Sequence, residues 1–337
     1  MKCTLLTCLF LFCCLSVFPL ETAKPRDGDG INSFLLNHGR NPREHYNAFI
    51  ELNKNKFGKD YALLKGVSYK LPPVSSTTSS KTAATPSANK KNTFYEPLFG
   101  KKYGEYTVQS NKLAGATFYL VSGHGGPDCG AIGYVDGTAI HEVEYAYDIT
   151  LRLARYLMME GATVHIIIQD KYNGIRDDRI LKLNKRKTCM GKEIPRSQVK
   201  RLQQGCDEIN NLSYKSKSAY QRAVFIHLDS RSVKQQVDVF FYYNETSAAG
   251  RKLANTMRTT FREQYQKFQP GRGFTGTVSH RNLYVLANTK PVSLFAELGN
   301  IQNSDNQQRR FLDSSNRDAL AKWMCRGFIT DYQNSKK

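Results

Sequence analysis

Ser122-Gly123-His124-Gly125-Gly126-Pro127-Asp128-Cys129-Gly130-Ala131 follows directly on the apolar run Thr117-Phe118-Tyr119-Leu120-Val121. That run is short, β-branched or aromatic, and bounded by turn residues, which reads as a buried strand. His124 therefore stands where a strand ends and the chain turns. The glycines around it admit backbone conformations closed to other residues and leave room for a ligand to come close. A single histidine in such a place is more often structural than functional, but the arrangement recurs. Ala223-Val224-Phe225-Ile226 runs into His227, and Val292-Ser293-Leu294-Phe295-Ala296 runs into Glu297, followed by Leu298-Gly299-Asn300. In open α/β sheets, ligands bind in the crevice outside the carboxyl ends of the strands. Two histidines and a glutamate at such ends predict one shared crevice. Glu142, which opens the helix after the first strand, is a fourth candidate; two imidazoles with one carboxylate make a catalytic zinc set that leaves a position for water.

From Phe94 onward, strand and helix patterns alternate, which predicts an α/β layer structure: a mostly parallel twisted sheet flanked by helices. Val143, Ala146, Thr150, Leu153 and Leu157 mark one face of a helix over 142–159, which Gly161 ends. Val164 to Ile168 reads as a buried strand, with His165 as a satisfied core or edge histidine. Residues 170–220 are rich in Lys and Arg and irregular, apart from a helix over 197–210. A solvated surface loop is favoured there over a lid. A helix spans 248–268, with a core stripe of Leu253, Met257, Phe261 and Tyr265. Val237 to Tyr243 and Leu283 to Leu286 read as further strands, and a last helix follows Asp313.

The chain has 337 residues and a net charge of +20, which suits an anionic polymer. No nucleic-acid motif accompanies that charge, so nucleic acid is set aside. Lys2 and the apolar run Leu9 to Val17 have the form of a signal peptide over 1–23, too short for a membrane span. Export to the periplasm or cell envelope follows, without a membrane span once the leader is removed. Lipidation at Cys13 or Cys14 is not favoured, because no small residue precedes either. Cys129, Cys189, Cys206 and Cys325 show no metal-type spacing, and Cys189 and Cys206 are candidates for a bridge in an oxidising compartment. Residues 73–93 are a Ser/Thr/Lys-rich linker without the apolar groups needed to pack. Ahead of it, residues 28–72 open with Gly28-Asp29-Gly30-Ile31 and close with Lys65-Gly66-Val67-Ser68-Tyr69-Lys70-Leu71-Pro72. This stretch resembles a LysM module, which implies a small β-α-α-β fold that binds N-acetylglucosamine-containing glycans.

Residues 117–332 resemble the zinc-dependent N-acetylmuramoyl-L-alanine amidases of the Amidase_3 family. Gly123-His124-Gly125-Gly126 with Asp128 and Gly130-Ala131 is similar to its first zinc motif. Glu142 ahead of Leu151-Arg152-Leu153, Phe225 to Ser230, and Phe295 to Gly299 with Asn303 match three more, in order. Leu228 and Asn300 depart from the family pattern, and so do the residues near Ile168-Gln169. The resemblance implies a catalytic domain over 94–337, with Zn2+ held by His124, Glu142 and His227. His141 is a rival ligand, set second because the offset of Glu142 from Leu151-Arg152-Leu153 matches the family. The resemblance further implies that Glu297 moves the proton while the amide between the lactyl group of N-acetylmuramic acid and L-alanine is cut. Peptidoglycan is then the partner, with an activator protein as a further candidate, and the role is wall remodelling or daughter-cell separation. Another zinc peptidase or amidohydrolase of the envelope and a non-catalytic peptidoglycan-binding protein remain as alternatives. A catalytic thiol at Cys129 has no dedicated base and is set aside.

Overall fold

A computed structural model describes residues 20–336 except 27–28, 41, 59–60, 74–91, 231–236 and 304–306. The leader through residue 19, Gly28 and linker residues 74–91 lie outside the described residues. Strands β1 (Thr22–Ala23) and β2 (Tyr69–Lys70) pair antiparallel and enclose helices α1 (Ile31–Asn37) and α2 (Pro42–Leu52). Asn53 closes this unit: its amide donates to the Lys70 carbonyl and accepts the Lys70 N–H, each at 2.9 Å. The leader boundary expected at residue 23 runs through β1, where Leu71 N–H donates to the Glu21 carbonyl at 2.7 Å. A cut after Ala23 would remove that strand.

Strands β3 (Thr93–Tyr95) and β4 (Glu105–Thr107) form an antiparallel pair around the short helix α3 (Gly100–Tyr103). Tyr46 of α2 docks there: its ring meets Phe94 at 5.4 Å and its hydroxyl accepts the Tyr95 N–H at 3.0 Å. The N-terminal unit thus shares one continuous apolar cluster with the elements that follow.

The central sheet is built from β5 (Ala116–Ser122), β8 (Thr163–Ile166), β12 (Tyr220–Asp229), β13 (Phe240–Tyr243), β14 (Thr277–His280) and β15 (Val292–Asn300). Between β5 and β8 come the hairpin β6 (Ile132–Val135) and β7 (Thr138–His141), then helix α4 (Glu142–Met159). After β8 come β9 (Ile168–Gln169), β10 (Thr188–Cys189), β11 (Lys192–Glu193) and α5 (Gln198–Lys215). Later segments add α6 (Ala248–Phe268), α7 (Tyr284–Asn288), α8 (Gln307–Leu312) and α9 (Ser314–Asn334). The order across the six strands is β14-β13-β15-β12-β5-β8, and only the β13–β15 pairing is antiparallel. This is the expected α/β class with a mostly parallel sheet.

Side-chain alternation divides the sheet's two faces. Phe118, Leu120, Val224, Ile226, Leu294 and Ala296 pack toward α4, α6 and α9. Tyr119, Val121, Phe225, Phe295 and Tyr242 point the other way, into a second cluster with residues of α5 and α7. His227 pairs with Glu297 across adjacent parallel strands, so both continue this second face.

Two expectations change. Tyr284–Asn288 is a helix, where Leu283 to Leu286 reads as a strand; an apolar run of four residues carries no period that separates the two. Residues 170–187 are pinned at several points, while others, such as Lys171, Lys185 and Arg186, stay exposed as expected. Lys187 is buried against Glu144 of α4, Arg176 pairs with Glu144 at 2.7 Å, and Asn184 donates to Asp170 at 2.6 Å. Charges that look solvated in a linear reading are here neutralised by partners. Fully buried Asp148 of α4 works in the same way, accepting from Arg152 at 2.8 Å and from Arg317 of α9 at 2.7 Å. A buried ion is tolerated only when so matched. His165 is buried as expected, its ring stacked on Tyr119 at 5.3 Å, and burial lowers its pKa to about 4. Cys129, Cys189, Cys206 and Cys325 are all free thiols.

Candidate metal centre

The strand ends meet as the sequence suggests. One ligand atom each of His124, Glu142 and His227 lies within 4.8 Å of the others. His124 follows β5, His227 lies near the end of β12, and Glu142 is the first residue of α4, brought to the same rim by the β6–β7 hairpin. No cluster of three or more His, Cys, Asp or Glu besides this one is seen among the described residues, and it does not include His141. Glu297 stands beside His227 in register, outside the cluster and largely buried.

Local sequence makes the convergence possible. A Cβ on Gly123 would lie 2.3 Å from Cε1 of His227, so only glycine lets that ring sit against β5. Gly130 has φ +69, and a Cβ there would come 2.6 Å from His124 Cδ2 and 2.7 Å from Glu142 Oε2. His227 is backed by the Phe295 ring, stacked at 4.4 Å and 18°.

The carboxylate of Glu142 is held from several sides. Oε2 accepts the Ala131 N–H at 2.9 Å and lies 2.9 Å from His124 Nε2; Oε1 accepts the Leu228 N–H at 3.0 Å and lies 3.0 Å from His227 Nδ1. Asp128 grips the far side of His124, at 3.0 Å from Nδ1, and accepts from Arg201 of α5 at 2.6 Å. Such a carboxylate fixes the tautomer and plane of a ligating imidazole. Asp128 appears in the motif read from sequence; Arg201 does not, since nothing in a Lys/Arg-rich helix singles out one arginine.

Burial opposes a charge on His124, but the hydrogen bonds of Asp128 and Glu142 outweigh it and lift its pKa to about 10. Burial likewise works against an ionised Glu142, yet its hydrogen bonds to His124 and His227 hold it well below the usual carboxylate range. Burial lowers the pKa of His227 against the pull of Glu142. Two carboxylates therefore draw positive charge to the place where three donor atoms converge. Two imidazole nitrogens and a carboxylate oxygen, the second carboxylate behind one ring, are a donor set that fits a divalent zinc ion.

A cavity of about 220 Å³ opens over His124 and His227, with Val121, Ile168, Phe225 and Phe295 among its apolar walls and Arg201 at its edge. A family model, Amidase_3, N-acetylmuramoyl-L-alanine amidase, matches residues 119–330. The chain belongs to this family. The amidase match runs from within β5 through most of α9, so every residue of the cluster lies inside it. Among solved structures, N-acetylmuramoyl-L-alanine amidase AmiC2 of Nostoc punctiforme is 19% identical, with 66% of this chain and 99% of that one covered at a TM-score of 0.46. The catalytic domain of CwlV from Bacillus (Paenibacillus) polymyxa var. colistinus gives 19% identity, 65% and 98% coverage and 0.46. An N-acetylmuramoyl-L-alanine amidase from Clostridium difficile 630 gives 20%, 68% and 100%, and 0.47. No curated protein matches the sequence.

Proposed function

We propose that the protein is an exported, zinc-dependent peptidoglycan amidase that cuts the bond between the lactyl group of N-acetylmuramic acid and L-alanine. The observation that carries this reading is the convergence of His124, Glu142 and His227 within 4.8 Å, inside a chain of the amidase family. Zinc, when bound, supplies Lewis acidity toward the amide carbonyl and makes water a better nucleophile near neutral pH. Asp128 holds the His124 ring in the orientation that ligation needs, with Arg201 fixing Asp128 in turn. Glu297, next to His227 on β15, takes the proton from the attacking water and returns it to the departing L-alanine nitrogen. The C–N bond breaks, leaving a carboxylate on the sugar and an amine on the peptide. The apolar cavity walls limit competing water around the reacting groups.

The net charge of +20 suits a polymer whose peptides carry free carboxylates. The order β1-α1-α2-β2, with β1 and β2 paired antiparallel, supports the LysM-like reading of the N-terminal unit. Because β1 begins at Thr22, the proposed leader cut is moved ahead of Glu21. Among the described residues no helix is long and apolar enough to cross a membrane.

Metal analysis combined with mass spectrometry of material released from purified sacculi tests the proposal. The expected result is about one zinc per chain, and stem peptides with a free L-alanine amine beside intact glycan. Release of peptides cut at an internal peptide bond would replace this reading with a zinc peptidase.

A further inference from the structure

A cavity of about 830 Å³ opens between the last turn of α6, α8 and the first turns of α9. Tyr265, Phe268 and Trp323 form its apolar wall. The Trp323 ring stands edge-on to Tyr265 at 5.1 Å and 68°, and lies nearly parallel to Phe268 at 6.2 Å and 15°. Phe261 and Phe268 are seven residues apart and so share one face of α6. Phe261 is fully buried there, whereas Phe268 is 60% exposed. The apolar stripe of α6 thus outruns its cover and leaves a flat aromatic plate open to solvent. A lone exposed aromatic needs no explanation, but two near-parallel rings walling a cavity point to a binding surface.

Charge beside the plate is fixed in place. Arg272 and Arg310 lie over the Tyr265 ring at 4.6 and 5.2 Å, and both bind the fully buried carboxylate of Asp238. Two guanidinium groups share one carboxylate, so this trio keeps one positive charge. Lys322 is matched by Asp318 at 2.9 Å and adds none. Gln269 and Ser315 complete a polar border. Asp238 also locates the cavity relative to the metal centre, because it lies two residues ahead of Phe240, the partner of Glu297 across β13 and β15. The cavity therefore opens at the same edge of the sheet as His124, Glu142 and His227, on the side of α6 and α9.

A pyranose presents C–H groups on its face and hydroxyls around its edge, and an apolar plate with a polar border is its complement. We propose that this cavity is a second subsite for the peptidoglycan strand, with an N-acetylated amino-sugar stacked on Phe268 and Trp323 and a carboxylate of the same strand on Arg272. The choice of polymer rests on the amidase reading. The plate selects the ring, and the anchored guanidinium selects the acid. A strand seated here stays at the edge of the sheet where its amide bonds are cut.

Trp323 is the only tryptophan in the chain, so its emission reports on this cavity. The full chain carrying Glu297→Gln is titrated with two probes. One is a peptide-free tetrasaccharide of alternating N-acetylglucosamine and N-acetylmuramic acid, the other the uncharged N-acetylglucosamine tetramer. Both should shift the emission saturably, with the acid binding about tenfold tighter at low salt. Phe268→Leu keeps an apolar side chain but loses the plane, and should weaken both about tenfold, while Phe268→Tyr binds as the parent does. Arg272→Ala should erase the difference between the two probes, and Arg272→Lys should keep part of it. Emission unmoved by the acid tetrasaccharide, parent-like affinity in Phe268→Leu, or equally tight binding of a single-stranded oligonucleotide would overturn the proposal. Amide cleavage enters nowhere in this titration. A parent protein that binds the tetrasaccharide here but leaves muropeptides whole ends the amidase reading and keeps the site; an active enzyme with silent Trp323 does the reverse.

Discussion

Replacing Gly123 with alanine is expected to disconnect His227 from the metal site while leaving the fold in place. The new methyl would lie 2.3 Å from Cε1, 2.4 Å from Nδ1 and 2.6 Å from Nε2 of the imidazole. Carbon atoms rest about 3.5 Å apart, so the ring has to withdraw by about 1.2 Å. Zinc–nitrogen bonds are about 2.0–2.1 Å long, and that displacement removes the ligand. Zinc affinity should fall by about 100-fold or more. Gly137 is the control: its φ is +74 and nothing lies within 4 Å of where its methyl would stand, so Gly137→Ala incurs only left-handed strain, about 1–2 kcal/mol. Gly130→Ala combines both effects, because its φ is +69 and its methyl meets His124 and Glu142. Chelator competition gives the zinc affinities, and thermal unfolding of metal-free protein gives the strain. The expected pattern is a metal defect without much destabilisation for Gly123, destabilisation without a metal defect for Gly137, and both for Gly130. Parent-like zinc affinity in Gly123→Ala would refute the placement of His227.

Glu297→Gln should retain zinc and lose hydrolysis of sacculi, and cleavage at the parent rate would remove Glu297 from the proton-transfer role. Arg201→Ala frees Asp128 from its arginine contact at 2.6 Å and should weaken zinc binding by about tenfold; Asp128→Asn should cost about 10–100-fold, and equal affinities in all three proteins would disconnect this chain of contacts from the metal. Stability should carry two opposing pH dependences. His165 is held at about 4 by burial, so the unfolded chain takes up its proton first and the fold loses stability as pH falls from 6.5 toward 4. Glu96 is raised to about 7 by burial, so the folded chain takes up that proton first and gains stability as pH falls from 7 toward 4.5. Each is worth about 3 kcal/mol and they offset. Glu96→Gln should therefore lose stability relative to the parent between pH 7.5 and 5, read as urea midpoints; parallel profiles for the two proteins would refute this.

The sheet and the convergence of His124, Glu142 and His227 were legible because each rests on a local signal. Three apolar runs ending in His124, His227 and Glu297 announce parallel strands that open on one edge, and the helix stripe after Glu142 fixes where that carboxylate begins. What the sequence concealed depends on partners far along the chain. Arg201 acquires meaning only when α5 folds back over Asp128. Lys187 and Asp170 look solvated until Glu144 and Asn184 meet them in the interior. Leu283 to Leu286 is too short for its period to separate helix from strand, and contacts between α5 and α7 decide the matter.

The pairing of Asp148 with Arg317 has a consequence for how the protein is made. The two residues are 169 positions apart, so the ribosome, adding about 5–20 residues each second, reaches the arginine roughly ten to thirty seconds after the aspartate. Arg152, four residues downstream in the same helix and 2.8 Å from Asp148 in the folded protein, is the partner already synthesised during that interval. The helix that begins at Glu142 gains its Arg317 contact only when the last helix arrives, so a chain interrupted before residue 317 is expected to lack that clamp even though every candidate ligand has already been synthesised.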